Sequence, residues 1–490
     1  MPLIRVDRAR AVREVGATVR LALPLIAAQL SAVGMNVVDA VLSGHLGAHT
    51  QAAVTTGAGV WSLAIISAIG TMMAVAPSVA QLDGAGRRHE IGALFRQALW
   101  IAAGLGALLW LGVRSASPLL EVIGVVPTLR ADVDAFLHAV SWGAPALAAY
   151  FALRGLSEGL SLTRPSMYFS FGGLLVLVPL GYVLMYGRLG VPALGARGSG
   201  IATAAVLWLE MLGFAVYVAR HRNYRALGLF AHFEWPRPRV IAELLGIGLP
   251  MAVTLMMEGG LFVAVALAIA TLGEAVTAAH QIALNVASVA FMVPLGLALA
   301  ITVRVGHAVG RGDGDGMRYA GFCGIALAMA VQVVACGLML GVPHGIARLY
   351  TNDPVVIGLA VQLLTLAGLF QFSDGIQVAS NGALRGLKDT RVPMLITGIA
   401  YWGIGMPVGW WLAFRAGYGA RGMWTGLIAG LTMAALMLFA RFRRLARSRT
   451  WDALPAPPAA RDARGASGYA GRLPADATAG AVRKAVPPPA

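Results

Sequence analysis

The chain has 490 residues, 58% of them hydrophobic and only 12% charged, with a mean hydropathy of +0.73. Soluble domains run near half apolar and about a quarter charged, so this composition excludes a soluble globular protein and points to a polytopic integral membrane protein. The formal net charge of +16 raises nucleic acid as a partner until its placement is read, and neither Lys388 nor Lys484 lies in a Gly-Lys-Ser/Thr phosphate loop, which excludes ATP hydrolysis by that route.

In chain order, residues 1–19 form a basic segment carrying Arg5, Arg8, Arg10 and Arg13. The apolar run that follows is too long for a signal-peptide core and is read as a retained first span. A membrane helix needs about 20 mostly apolar residues. Runs of that kind, separated by Gly, Pro, Arg and Asp, predict spans at 20–44, 51–79, 92–114, 132–155, 165–188, 197–220, 241–270, 276–302, 317–342, 354–382, 392–414 and 421–442. Cys323 and Cys336 fall in one of these helices, about 20 Å apart along its axis, so they cannot pair and imply no disulfide or metal framework. The tail, 446–490, contains "LPAPPAARDARGASG". It has too little apolar surface to bury a core and is expected to be disordered.

Lys and Arg concentrate in alternate loops. With the amino terminus inside, the inner loops hold Arg87, Arg88 and Arg96, then Arg154 and Arg164, then Arg220 to Arg239, then Arg304 to Arg318, then Arg385 to Arg391. The outer loops hold far fewer. The positive-inside rule then places both termini in the cytoplasm. The charge is topological, and nucleic acid is excluded as a partner.

A shift of 226 residues, the distance from Pro24 to Pro250, also brings Leu46-Gly47 onto Leu272-Gly273, Gly70 onto Gly296 and Gly84 onto Gly310. Later, "EGLSLTRPSM" (158–167) pairs with "RGLKDTRVPM" (385–394), and "GARG" recurs at 195–198 and 419–422. The expected fold is therefore all-α, with twelve transmembrane helices in two six-helix bundles related by a parallel repeat. The bundles span 20–222 and 241–445, joined by a cytoplasmic linker at 223–240. Two such bundles around a central cavity are the architecture of an alternating-access carrier. No HExxH or Cys/His metal spacing points to an enzyme.

Carboxylates inside apolar spans are expensive and mark function. Asp39 lies near the outer end of the first span, Glu258 mid-way along the seventh, and Asp374 inside the tenth. The repeat sets Val265 opposite Asp39 and Ala32 opposite Glu258, so the acids do not follow the duplication. A carboxylate withdrawn from water can hold a proton near neutral pH or ligate Na+ through oxygen. Either ion competes with a cationic substrate for one negative charge, which is antiport. If sodium is the ion, Glu258 and Asp374 are its ligands. Glu210, in the sixth span, is a further candidate. His280 is expected to be a packing residue. Gln281, Asn285, Met256 and Met257 are candidate lining residues of the substrate cavity, the methionines because flexible thioethers suit promiscuous surfaces.

The stretches "GMNVVDAVLSGHLG", "MAVAPSVAQLDGAGRRHEI", "LMMEGGLFVAVALAIATLGEAVTAAHQIALNVASVAFMVPLG", "VRVGHAVG" and "FSDGIQVASNGALRGLKDT" together resemble the multidrug and toxic compound extrusion (MATE) family, in its NorM-type bacterial branch. The likeness covers roughly residues 20–445. It implies two six-helix lobes about a V-shaped cavity in a bacterial inner membrane, and export of cationic amphipathic drugs and dyes in exchange for Na+ or H+. The chain is expected to act as a monomer without a cofactor, although the sequence leaves the oligomeric state open. It implies that Asp39 serves the first lobe and that Glu258 and Asp374 form the cation site of the second. Many relatives carry Asn or Asp in the fifth helix. Leu177 and Gly181 stand there instead, so Asp39 is expected to lack partners, and the coupling site is expected at Glu258 with Asp374. A flippase for lipid-linked saccharides, from the same wider superfamily, is the alternative. It needs a cavity lined with basic residues, and the predicted spans are nearly free of them.

Overall fold

The computed structural model describes residues 7–122, 124–230 and 233–448. Among them the secondary structure is helical, with no strand. The expected disordered tail lies, apart from its first residues, outside the described residues. Helix α1 (Arg8–Leu46) opens at Asp7, whose side chain accepts from the Ala9 amide at 2.9 Å. That cap satisfies one of the orphan amides of a first turn. The basic stretch Arg8 to Arg13 is therefore the start of the first helix.

Helices α2 (Ala48–Met72) and α3 (Val75–Gly84) together make the second span, and α4 (Arg88–Arg114) the third. A short α5 (Ser117–Val122) leads to α6 (Pro127–Ser141) and α7 (Ala144–Gly159). These two are bent 45° apart at their break, where Pro145 removes a backbone donor. Then come α8 (Arg164–Tyr186), α9 (Gly195–Arg220) and the short α10 (Arg222–Arg225). The second half holds α11 (Pro238–Ala270), α12 (Glu274–Gly310), α13 (Gly314–Gly341), the short α14 (Pro343–Arg348) and α15 (Pro354–Gly386). Its eleventh span is irregular. Helix α16 (Arg391–Gly398) widens into a π-helical stretch, Ile399–Gly405, tightens as α17 (Met406–Trp410) and widens again over Trp411–Arg415. Helix α18 (Gly419–Ala446) closes the fold. Among the described residues, eleven helices are long and apolar enough to cross a membrane, and the bent α6–α7 pair, taken as one span, makes twelve. Each expected span lies on one of these helices or helix pairs. Cys323 and Cys336 are both on α13 and unpaired.

The repeat is written into the backbone. Gly47 and Gly273 take φ of +120° and +113°, Gly195 and Gly419 take +51° and +56°, and Ser161 and Lys388 take +61° and +60°. Left-handed backbone at a non-glycine residue is uncommon, so the recurrence at Ser161 and Lys388 marks one connection used twice.

Within the first half, α1 packs on α8, α8 on α9, α6 on α9 and α4 on α7. Within the second, α15 packs on α12, α13 and α18. The halves meet through α1 against α12 and α2 against α11. Ala22 and Leu25 of α1 join a core formed mainly by the second half, while Leu244, Ile247 and Met251 of α11 join a core formed mainly by the first. Glycines permit the close crossings. A Cβ on Gly70 would occupy the backbone of Ala252, and one on Gly296 would collide with Ile26.

The halves also close on each other at the end bearing the arginine-rich loops, called the basic end below. Gln81 donates from Nε2 to the Gly386 carbonyl at 2.9 Å, and His307 Nε2 donates to the Gly159 carbonyl, also at 2.9 Å. Gln81 and His307 are equivalent in the repeat, as are Gly159 and Gly386. Beside them, Gly84 lies against the His307 carbonyl and Gly310 against the Gln81 carbonyl.

Candidate cation and substrate site

Glu258 sits in α11 within "LMMEGG", where the two following glycines present no side chain to shield it. It is half-buried and takes part in no hydrogen bond among the described residues. Asp374, on α15, is 2% exposed, and its Oδ2 has no partner. The two carboxylates lie within electrostatic reach of each other, and Tyr401 lies within reach of both. Tyr401 is buried in the first π-helical stretch, and its hydroxyl too is unpartnered. Single π-helical turns often occur at functional sites because they re-aim side chains.

One face of α15 extends this cluster. Asp374, Gln377, Asn381 and Arg385 follow a spacing of three or four residues, which aligns them along one side of a helix. Both amide atoms of Gln377, the Ser380 hydroxyl, and Nε and Nη1 of Arg385 are buried without hydrogen-bond partners. Buried polar atoms are paired in the great majority of cases. Orphans concentrated along one face suit a site that receives an ion, water or a polar ligand. No group of three or more His, Cys, Asp or Glu residues able to hold a resident metal occurs among the described residues. Two carboxylates with neutral oxygens suit an ion that must also leave.

The other expected residues lie in varied settings. Met257 packs against Gly398, and its carbonyl accepts from Trp402 Nε1 at 3.2 Å, while Met256 is exposed. Gln281 and Asn285 are exposed and bonded to each other at 3.0 Å rather than to the acids. His280 is buried, and its Nδ1 accepts from Trp424 Nε1 at 3.2 Å. Asp39 is half-buried in the first half, apart from the other two acids. Leu177 and Gly181 offer it nothing from α8, but Ser199 of α9 donates to its Oδ1 at 3.2 Å. Asp39 is therefore partnered, though by the sixth span rather than the fifth. Glu210 is buried over Gly173, near Arg154.

One expectation is corrected. Arg154 and Arg385 are not loop residues. They lie inside α7 and α15, at 7% and 6% exposure. Arg154 donates from Nε to Glu158 at 2.6 Å and from Nη2 to Gln29 at 2.8 Å. Arg385 has no hydrogen bond or ion pair among the described residues, although Glu258 lies within its electrostatic reach. Helix α15 runs on to Gly386, beyond the predicted span end at 382, and α7 runs on to Gly159, beyond the predicted end at 155, so both arginines, counted with the inner loops at these span ends, lie within helices. Tyr401, Gln377 and Ser199 were also missed, because a Tyr, Gln or Ser in a membrane helix carries no signal of its own.

Comparison with known families gives two matches to one family model, MatE, at residues 24–183 and 250–411. They begin at the two ends of the repeat offset. The chain is 50% identical over 442 residues to a protein of Xanthomonas campestris pv. campestris named "Probable multidrug resistance protein NorM", covering 90% of this chain and 96% of that one. It is 42% identical over 455 residues to "Multidrug resistance protein PmpM" of Pseudomonas aeruginosa, covering 91% and 94%. Among solved structures it resembles one described as the outward-facing conformation of a multidrug resistance MATE family transporter, with TM-score 0.82, 18% identity, and 91% and 97% of the two chains covered. The crystal structure of the eukaryotic MATE transporter AtDTX14 aligns with TM-score 0.80 at 20% identity over 90% and 99%.

Proposed function

The chain belongs to the MatE family of membrane transporters, and from that premise we propose that it is a multidrug efflux carrier exporting cationic amphipathic compounds in exchange for entering Na+ or H+. The observation that carries the exchange is the pair Glu258 and Asp374, two carboxylates facing one another's field in an apolar interior, beside unpartnered polar atoms. An ionised carboxylate there costs several kcal/mol unless a cation relieves it. Inorganic cation and drug cation therefore compete for the same charge. Binding of one favours release of the other, and the carrier returns only when one of them is bound.

The basic end faces the cytoplasm of a bacterial inner membrane, both termini are on that side, and the carrier works as a monomer without a cofactor. With the basic end closed by Gln81 and His307, the described state is the one that receives the ion from outside and gives up the drug. Asp39, with Ser199, is a further cation-binding acid in the first half. Met256, Met257, Gln281 and Asn285 line the drug's path. The lipid-linked saccharide reading needs several free basic groups for a pyrophosphate. Of the two arginines buried among the described residues, Arg154 is neutralised by Glu158.

The test uses purified protein in liposomes with ethidium, and a Na+ gradient or a pH gradient imposed separately. One of the two gradients is expected to drive ethidium movement, and Glu258→Gln is expected to abolish it while the protein still inserts. Wild-type rates in that variant would overturn the mechanism. If neither gradient moves ethidium, the drug-export reading fails and the flippase takes its place.

A further inference from the structure

Arg385 is a buried cation with nothing opposite it. It is 6% exposed, its Nε and Nη1 are unpartnered, and no carboxylate is bonded to it among the described residues. A charge in that condition costs several kcal/mol, and a side chain that is expensive in one state commonly finds its partner in another. The acid within its electrostatic reach is Glu258.

The geometry sets these groups in a line. Asp374 and Arg385 are eleven residues apart on α15, about 16 Å along a helix axis, so they cannot share one site. Glu258 lies within electrostatic reach of both. Helices α11 and α15 run in opposite directions, α11 starting and α15 ending at the basic end. Side chains lean toward the amino end of their own helix, so Glu258 leans toward the basic end and Arg385 leans away from it, each toward the other. Arg385 is the nearer of the two to the basic end and stands between Glu258 and the side on which the carried ion must leave.

We propose that Arg385 is the ion-release residue: a fixed internal cation that competes with the carried cation for Glu258 when the carrier opens at its basic end. In the described state Arg385 stands back and Glu258 is free to take a cation. When the basic end opens, the guanidinium closes on Glu258 and displaces the ion. The resulting pair holds the emptied carrier until a cationic drug takes the carboxylate and frees Arg385 again. An arginine suits this role because it stays charged and pairs with a carboxylate through two donors.

The inference rests on the cation-exchange reading, and the test separates the two. In ethidium-loaded liposomes, with whichever of Na+ or H+ drives the wild type, the half-saturating cation concentration and the maximal rate are measured for Arg385→Gln and Arg385→Lys. Removing the competitor is expected to lower the half-saturating concentration about tenfold, as for one lost charge–charge interaction, while the maximal rate also falls because release slows. Arg385→Lys, shorter and with a single point charge, is expected to fall between the two. An arginine that merely props up the fold would lower the rate and leave the half-saturating concentration unchanged or raised, and that result overturns the proposal. Thermal unfolding in detergent adds a readout independent of transport. Replacing an unpaired buried charge with a neutral side chain is expected to raise the midpoint, whereas loss of a structural anchor lowers it. If Arg385→Gln is not recovered folded, Arg385→Lys carries the test, and an unchanged half-saturating concentration there overturns the proposal. Glu258→Gln serves as the control: if it transports normally, the exchange reading itself has failed, whatever Arg385 does.

Discussion

Arg154 and Arg385 differ in what stands opposite them. Arg154 is held by Glu158 one turn along α7 and by Gln29 from α1. Breaking a buried ion pair from one side leaves the other charge stranded, at about 3–5 kcal/mol. Glu158→Gln is therefore expected to lower the thermal unfolding midpoint by several degrees in detergent. Glu121→Gln, which removes an exposed partner of Arg130, is expected to leave the midpoint within error, because exposed pairs contribute about 0–1 kcal/mol. A midpoint unchanged in Glu158→Gln would mean that Arg154 is not neutralised there. Both arginines show how far the site was readable from residues alone. Glu258 and Asp374 stand out in the sequence as candidates because a carboxylate in an apolar run has no cheap structural use. Arg385 does not, because it sits one residue before the end of its helix among Gly, Leu, Lys and Asp, where composition looks like a loop. Ser199 was not legible because a hydroxyl in a helix can bond its own backbone and need not signal a partner.

At the scale of elements, the closure is built twice from the same parts. Gln81 of α3 reaches the end of α15, and His307 of α12 reaches the end of α7, each at 2.9 Å. Loss of one such bond, about 1 kcal/mol, shifts a two-state population about fivefold. In a background lacking Cys323 and Cys336, a cysteine placed at Ser161 and challenged with a membrane-impermeant maleimide from the basic side reports opening. His307→Ala is expected to raise the labelling rate by about that factor. His307→Gln installs the side chain used at the equivalent position and is expected to restore slow labelling. Equal labelling in the Ala and Gln variants would show that the contact does not hold the gate. The helices of this frame were legible because twenty apolar residues admit little else in a membrane. The π-helical stretches of the eleventh span were not. An apolar run gives no sign of whether its backbone bonds skip four residues or five.

At the scale of the whole molecule, the two halves are not beads on a string. The basic-end portions of α1 and α11 are packed into each other's half, and the glycine crossings at Gly70 and Gly296 admit no slack. Each half alone would leave an apolar face without its partner helix. Expressed separately, residues 1–232 and 233–490 are each expected to be inactive in ethidium export. Co-expressed, they are expected to reassemble and recover a measurable fraction of it. Export by either half alone would show that the cavity does not require both. The duplication itself was legible from aligned glycines and prolines because turns and close crossings tolerate few substitutes, whereas apolar residues on helix faces interchange freely.

The repeat that sets Ser161 against Lys388 also sets Glu158 against Arg385, so one position carries opposite charge in the two copies. At that position the first copy completes a self-contained ion pair, and the second leaves a charge without a partner. A hypothetical ancestor made of two identical first halves would fold symmetrically, with this position paired in both copies. Division of labour in this molecule is thus a matter of broken symmetry. At this position one copy has settled into a closed pair, and the other keeps an unsettled charge.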